Sequence, residues 1–338
     1  MAKNTYKGTD GVDVVEQSSK KDYFNIFTYG DADQISLKLN KTYVEAGSGN
    51  DVVKSTIENN NDVYLGKGDD TYTGKGYAYN RVYDIVSGGE GKDTFNVSTR
   101  HSEYYGDGGN DTFNSVGDSN YFFGGGGIDT VSYQRQDNSS LEGRGVHVDL
   151  QHGYATTGGS REETLENIEN AIGTSYGDDV IGSDGDNSLW GMDGKDIVDG
   201  RGGKDTLYGG NGADDIYGGN GNDKLIGEKG NDLLFGNDGA DHFIFQAISD
   251  SVVGSERDVI KDFSRSEGDK IDVSEMDAID GGGDDVFTFI GDAAFSGTAG
   301  ELRFKNEILS GDTNGDGTAD FEIKVADIGS LKNSDFIL

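Results

Sequence analysis

The sequence predicts an all-β protein, a parallel solenoid closed at its C-terminal end by a small β cap, and three observations lead there. Between residues 173 and 244 a nine-residue unit follows itself eight times without insertion, its plainest copies being GGNGADDIY (209–217) and GGNGNDKLI (218–226). Position eight of each copy is apolar: Val180, Leu189, Val198, Leu207, Ile216, Leu225, Leu234 and Phe243. The chain holds 56 glycines and no proline, which suits an unbroken hydrogen-bonded ladder with many turns.

The columns explain the unit. Position one is Gly in every copy and position four is Gly in all but the first, where Tyr176 stands; both are expected to sit in tight turns with positive φ and open carbonyls. Position six holds Asp178, Asn187, Asp196, Asp205, Asp214, Asp223, Asp232 and Asp241. The Asp-x-apolar triplet reads as a very short strand with one side chain pointing inward. A single unit cannot bury that side chain, so two units form one coil and successive coils stack. Repeats nine apart then lie on opposite edges. Asp178, Asp196, Asp214 and Asp232 share one edge, and Asn187, Asp205, Asp223 and Asp241 the other. Such ladders of carboxylates repel themselves unless a hard cation lies between rungs, and an all-oxygen shell suits calcium.

The repeat resembles the RTX, or hemolysin-type, calcium-binding nonapeptide. That resemblance implies a parallel β-roll/β-helix solenoid with many Ca²⁺ ions as its cofactor. A flexible Gly/Asp-rich linker would have no reason to keep an apolar column.

Composition agrees. Of 338 residues only 33% are hydrophobic, and the net charge is −35, values that border on disorder. About eight to twelve calcium ions would offset much of that charge and supply folding free energy. Cysteine is absent, which excludes disulfides and thiolate chemistry. The start, MAKNTYKGTD, contains no apolar leader core, and no stretch is long and apolar enough to span a membrane. The negative charge argues against nucleic acid and anionic membrane surfaces as partners.

Residues 1–132 read as a degenerate N-terminal solenoid. Asp13, Asp51 and Asp70 close glycine-containing turns and precede Val15, Val53 and Tyr72. From residue 84 the nine-residue register is strict again, with Asp84, Asp93, Ser102, Asp111, Asn120 and Asp129 at position six. Glycine-rich turns now appear only before Asp93, Asp111 and Asp129, so one edge is expected to keep calcium turns while the other has lost them. The altered edge would gather Tyr79, Arg81, Tyr83, Arg100, His101 and Arg135. These are either drifted loops or a strip that binds an acidic polysaccharide, since arginines pair carboxylates and aromatic faces stack on sugars.

Residues 133–172 break the register and read as a spacer, with a strand-like GVHVDL and with Leu165, Ile168 and Ile172 at helical or loop-capping spacing. Residues 173–244 are the regular block. Residues 245–338 carry ordinary short strands and form the cap. Its GADHFIF, RDVIKDF, GDKIDVS, FSGTAGELRF and closing SDFIL are similar to the C-terminal region of the serralysin family. The likeness implies a type I secretion signal ending in Asp335, Phe336, Ile337 and Leu338, with the type I machinery as partner and an extracellular location. Inside the cap, Asp312, Asn314, Asp316 and Asp320 imitate the first part of an EF-hand loop, but position twelve is Ile323 where that loop needs Glu. It is either a strand-connecting calcium loop or a metal-free turn.

Three function classes compete. Repeats plus a secretion cap without a catalytic domain resemble rhizobial nodulation- and exopolysaccharide-associated RTX proteins, which implies a calcium-folded, non-catalytic surface, matrix or host-interaction protein. A zinc protease is excluded, because His101, His147, His152 and His242 form no HExxH pair. A lyase or epimerase could draw on Arg81, Tyr83, Arg100, His101 and Tyr104. A membrane-permeabilising protein is the third class: the long apolar helices of the RTX cytolysins have no counterpart here, which leaves a weak cation channel as the form it would take.

Overall fold

A computed structural model describes residues 4–17, 24–56, 60–76, 83–136, 144–157, 161–279, 281 and 285–338. Its regular secondary structure is strand, apart from two single-turn 3₁₀ helices at Gln134–Gln136 and Asn333–Asp335. The chain divides into two compact units, 1–172 and 173–338.

In the first unit, two parallel sheets alternate along the chain. One stacks Asn4–Lys7, Phe24–Tyr29, Tyr43–Ser48, Asp62–Lys67, Ile85–Glu90, Glu103–Gly108, Tyr121–Gly126 and Arg161–Glu166. The other stacks Val14–Glu16, Gln34–Leu37, Val52–Ser55, Thr71–Lys75, Thr94–Ser98, Thr112–Ser115, Thr130–Ser132 and Asn170–Ile172. Alternate side chains point inward and meet their equals one coil away. The column Val63, Val86, Tyr104, Phe122 therefore faces the column Tyr72, Phe95, Phe113, Val131, all buried. Phe95 and Phe113 stack with centroids 4.9 Å apart. The helical spacing of Leu165 and Ile168 does not give a helix. Both side chains are buried in one further coil, reached through an antiparallel excursion, Val146–Asp149 and Tyr154–Thr157, and Leu165 there stands in register with Phe122.

The second unit repeats the plan with eighteen-residue coils through its regular block. Val180, Val198, Ile216 and Leu234 stand in register on one side, and Leu189, Leu207, Leu225 and Phe243 on the other. The stack does not stop at residue 244. Ile260 pairs above Leu234 and Ile271 above Phe243, so the sequence-distinct cap supplies another coil before closing. Closure comes from the antiparallel strands Glu301–Lys305, Ile308–Asp312 and Phe321–Val325, the last running parallel to Val259–Ile260, and from Phe336–Ile337 laid on Lys270–Asp272.

The glycines divide the work differently from the sequence expectation. Positive φ falls at position two (Met192, Arg201, Gly210, Gly219, Glu228, Asn237) and at position four (Gly194, Gly203, Gly221, Gly239), not at position one. Position one has another reason to be glycine. A Cβ on Gly191 would lie 2.6 Å from Asp196 Oδ2 and 2.6 Å from the Gly209 carbonyl oxygen.

Candidate calcium ladders

Asp178, at the start of the block, accepts from Thr174 in its own turn, whereas each position-six aspartate from Asp196 onward spans two coils. Its Oδ1 accepts the backbone N–H of the rung eighteen residues earlier: Asp178 to Asp196 at 2.7 Å, Asp196 to Asp214 at 2.8 Å and Asp214 to Asp232 at 2.9 Å. On the opposite edge the same bond joins Asn187 to Asp205, Asp205 to Asp223 and Asp223 to Asp241. The second oxygen of Asp196, Asp205, Asp214, Asp223, Asp232 and Asp241 is buried without a hydrogen-bond donor. For Asp196, Asp205, Asp214 and Asp223 it shares a space beside the position-one glycine with a glycine carbonyl of the next coil, as the Asp223 Oδ2 and Gly236 carbonyl do at Gly218. A buried carboxylate oxygen without a donor is costly. Two converging oxygens of this kind, in a gap no side chain can enter, fit a hard cation taking most of its ligands from backbone carbonyls. Among the described residues no three acidic or histidine side chains converge on one point, as expected where each rung gives one carboxylate.

Electrostatics lead the same way. Burial, with neighbouring carboxylates adding to it, pushes Asp196 and Asp205 up to about 8, Asp241 to about 7 and Asp232 to about 9. These groups resist ionisation unless a positive charge is supplied.

In the first unit only one edge has this character. Asp13, Asp33, Asp51, Asp70, Asp93, Asp111 and Asp129 form a chain of backbone N–H to Oδ1 bonds of 2.7 to 2.8 Å. From Asp33 to Asp129 every Oδ2 is buried without a donor. Asp13, at the end of the ladder, instead accepts from Thr9 N–H and from the Tyr6 hydroxyl. Burial lifts Asp51 and Asp93 to about 7 and Asp70, Asp111 and Asp129 to about 6.

The other edge is closed by protein groups. Its rungs are Thr42, Asn61, Asp84, Ser102 and Asn120, each after Thr42 receiving the preceding rung's N–H on a side-chain oxygen. The space beside them holds hydroxyls from the core. Tyr72 donates to Asp84 Oδ2 at 3.1 Å, the Tyr104 and Thr99 hydroxyls are 2.8 Å apart, and Ser115 and Asn120 both donate to Glu163 Oε1. Burial raises Glu163 to about 7. Amides, hydroxyls and the carboxyls of Asp84 and Glu163 here fill the space that the opposite edge leaves open, with Glu163 Oε2, near the Tyr133 hydroxyl, buried without a hydrogen bond. Asn120→Ala should therefore cost ~1–3 kcal/mol through the partners it orphans and leave the number of bound ions unchanged, whereas Asp111→Ala should lower that number. Thermal melts with equilibrium dialysis against calcium would separate the two; a changed ion count in Asn120→Ala would refute the metal-free reading of this edge.

Three rungs were not singled out from sequence. Asp33 belongs to the first ladder. Asp258 accepts the Asp232 N–H at 2.9 Å, keeps a buried Oδ2 without a donor, and is pushed to about 8 by burial. Asp269 accepts the Asp241 N–H at 3.0 Å, but its Oδ2 is bonded by Ser264 N–H. All three carry the Asp-x-apolar signature, before Ile35, Ile260 and Ile271.

The remaining candidates are placed as follows. In the 312–320 loop the side chains serve its own turn: Asp312 accepts from Gly315 and Gly317 N–H, Asn314 from Asp316, Asp316 from Thr318, and Asp320 from Thr313 and Asn314. On the altered edge Arg100 pairs with Asp118 at 2.8 Å, Arg135 donates to Asn96, and Tyr83 and His101 are exposed. Tyr79 and Arg81 lie outside the described residues.

Fold and site together define a parallel β-solenoid whose edges are lined with cation-seeking carboxylates. The RTX calcium-binding nonapeptide repeat, as a four-copy model, matches residues 172–207 and again 208–243. The regular block is thus an RTX repeat array with calcium as its cofactor at multiple sites. No curated protein matches the chain. Among solved structures, the AlgE6R3 subunit from the Azotobacter vinelandii mannuronan C5-epimerase is similar at 22% identity over 48% of this chain and 78% of that one, with a TM-score of 0.29.

Proposed function

We propose that this is an exported protein that folds on extracellular calcium and acts through its surface, with no chemistry of its own, at the cell surface, matrix or host. One observation carries the reading: among the described residues thirteen aspartates, from Asp33 to Asp258, bury a carboxylate oxygen that no protein group satisfies. A chain built this way stays expanded where calcium is scarce, a state suited to passage through a type I exporter, and closes where calcium is abundant. Both units carry the feature, so folding of the whole chain is tied to the ion.

Its candidate target is an acidic polysaccharide, bound along the altered edge of the first unit. Arg135 donates to a neutral amide and keeps its net charge, whereas Arg100 shares its charge with Asp118. Combined Arg81→Ala, Arg100→Ala and Arg135→Ala should weaken retention on an acidic exopolysaccharide at least about tenfold, measured on calcium-loaded protein of unchanged circular dichroism. Undiminished retention would remove this target.

A further inference from the structure

The outer face of the first unit's first sheet carries chemistry that neither the calcium ladders nor the arginine edge uses. Strand register sets two outward columns there. One runs Tyr43, Asp62, Ile85, Glu103, Tyr121, and the other Glu45, Tyr64, Ser87, Tyr105, Phe123. Both columns thus mix aromatic rings with carboxylates, Ile85 and Ser87 standing between them at the middle coil. The rings form two tilted groups: Phe27, Tyr43 and Tyr64 with centroids 5.9 and 5.6 Å apart, and Tyr105 with Tyr121 and Phe123 at 5.8 and 6.0 Å. None is a core residue, and Tyr64 is 44% exposed.

The polar groups between them are committed in a particular direction. Tyr43 donates to Glu45, Tyr105 to Glu103 at 2.9 Å, and Tyr121 to Glu166 at 2.5 Å. The three phenols are pushed up to about 12, by burial for Tyr105 and Tyr121 and chiefly by the bond to Glu45 for Tyr43, so their protons stay in place at any physiological pH. What remains facing outward is an array of oxygen acceptors between ring faces. Among the described side chains of these strands one is basic, Lys67, and it is paired with Glu90 at 2.7 Å.

We propose that this aromatic and carboxylate face is a binding surface for an uncharged, hydroxyl-rich β-linked polysaccharide lying across the coils. Rings present flat apolar faces to the C–H faces of pyranoses, and the acceptor array receives sugar hydroxyls. Coil spacing of ~4.8 Å is close to the length of one pyranose, so successive coils meet successive sugars. Charge sets the class: the carboxylates repel a uronic-acid polymer, and the described cation on these strands, Lys67, is already held by Glu90. The surface is thus opposite in selectivity to the arginine edge and independent of it.

Affinity electrophoresis in calcium-containing gels with a soluble uncharged β-glucan tests this. The wild-type chain should be retarded, and the retardation should persist in about 0.5 M NaCl, where surface electrostatics are screened. Tyr64→Ala combined with Tyr105→Ala should weaken it at least tenfold without altering circular dichroism or bound calcium, while Arg135→Ala should leave it unchanged. No retardation of the wild type would overturn the proposal. So would binding confined to a charged polymer and abolished by salt, or retardation that survives the tyrosine substitutions in a folded chain.

Discussion

Removing calcium at pH 7.5 should abolish most of the β-sheet circular dichroism, and millimolar calcium should restore it. At that pH the metal-free fold would have to hold ionised or forcibly protonated carboxyls at thirteen buried positions. Several of them, including Asp51, Asp93, Asp196, Asp205, Asp232, Asp241 and Asp258, are pushed to values between about 7 and 9 chiefly by burial. Each unit of such a shift corresponds to about 1.4 kcal/mol of preference for the uncharged form, a large fraction of the margin by which domains are stable. The sign follows from linkage. A carboxyl whose folded value lies above its unfolded one contributes stability fully below about pH 4, and loses it as pH rises through the folded value. The metal-free chain should therefore be most compact in acid and open as pH rises from about 6 to 9. Calcium should remove that dependence at neutral pH and be expelled by protons below about pH 6. An unchanged spectrum after chelation at pH 7.5 would refute calcium as a structural element.

Gly221→Ala should be among the most damaging of the conservative substitutions in the regular block, at ~3 kcal/mol or more. Gly221 has φ of +145°, and an added Cβ would lie 1.5 Å from the Gly203 carbonyl oxygen, a backbone atom of the coil below. Neither side can give way, because Asp205 to Asp223 and Asp223 to Asp241 hold coil spacing by side chain to backbone bonds. Strain and overpacking of this kind cost several kcal/mol together, and spreading the coils would also part the oxygens meant to share an ion. Gly329→Ala, with open space around the glycine and no positive φ, should stay within ~0.5 kcal/mol. Chemical denaturation in saturating calcium measures both; equal midpoints would contradict the close-packed stack.

The eighteen-residue coil was legible because the glycine, aspartate and apolar columns hold one residue type almost throughout: Leu189, Leu207 and Leu225 can only stack if the period is kept. Loss of one edge in the first unit was legible too, from where the glycine-rich turns disappear. What replaces it was not. Tyr72 and Tyr104 look like ordinary core aromatics in sequence, and Glu163 reaches Ser115 across 48 residues, a contact without periodic signature. Asp258 and Asp269 escaped for a related reason. The loops before them lengthen the step to 26 and 28 residues, so a search in nines passes over rungs that still occupy the ladder. Position-one glycines were noticed and misread as turn residues, since a glycine required by a neighbouring carboxylate looks the same in sequence as one required by φ.

Calcium as the element that closes this solenoid is tested most directly by counting ions bound to the folded full-length chain, with equilibrium dialysis and atomic emission on the same samples. About eight to twelve ions per chain is the expected result for ladders of this length with all-oxygen sites, falling in Asp111→Ala and Asp214→Ala. A folded chain that holds two ions or fewer would contradict it.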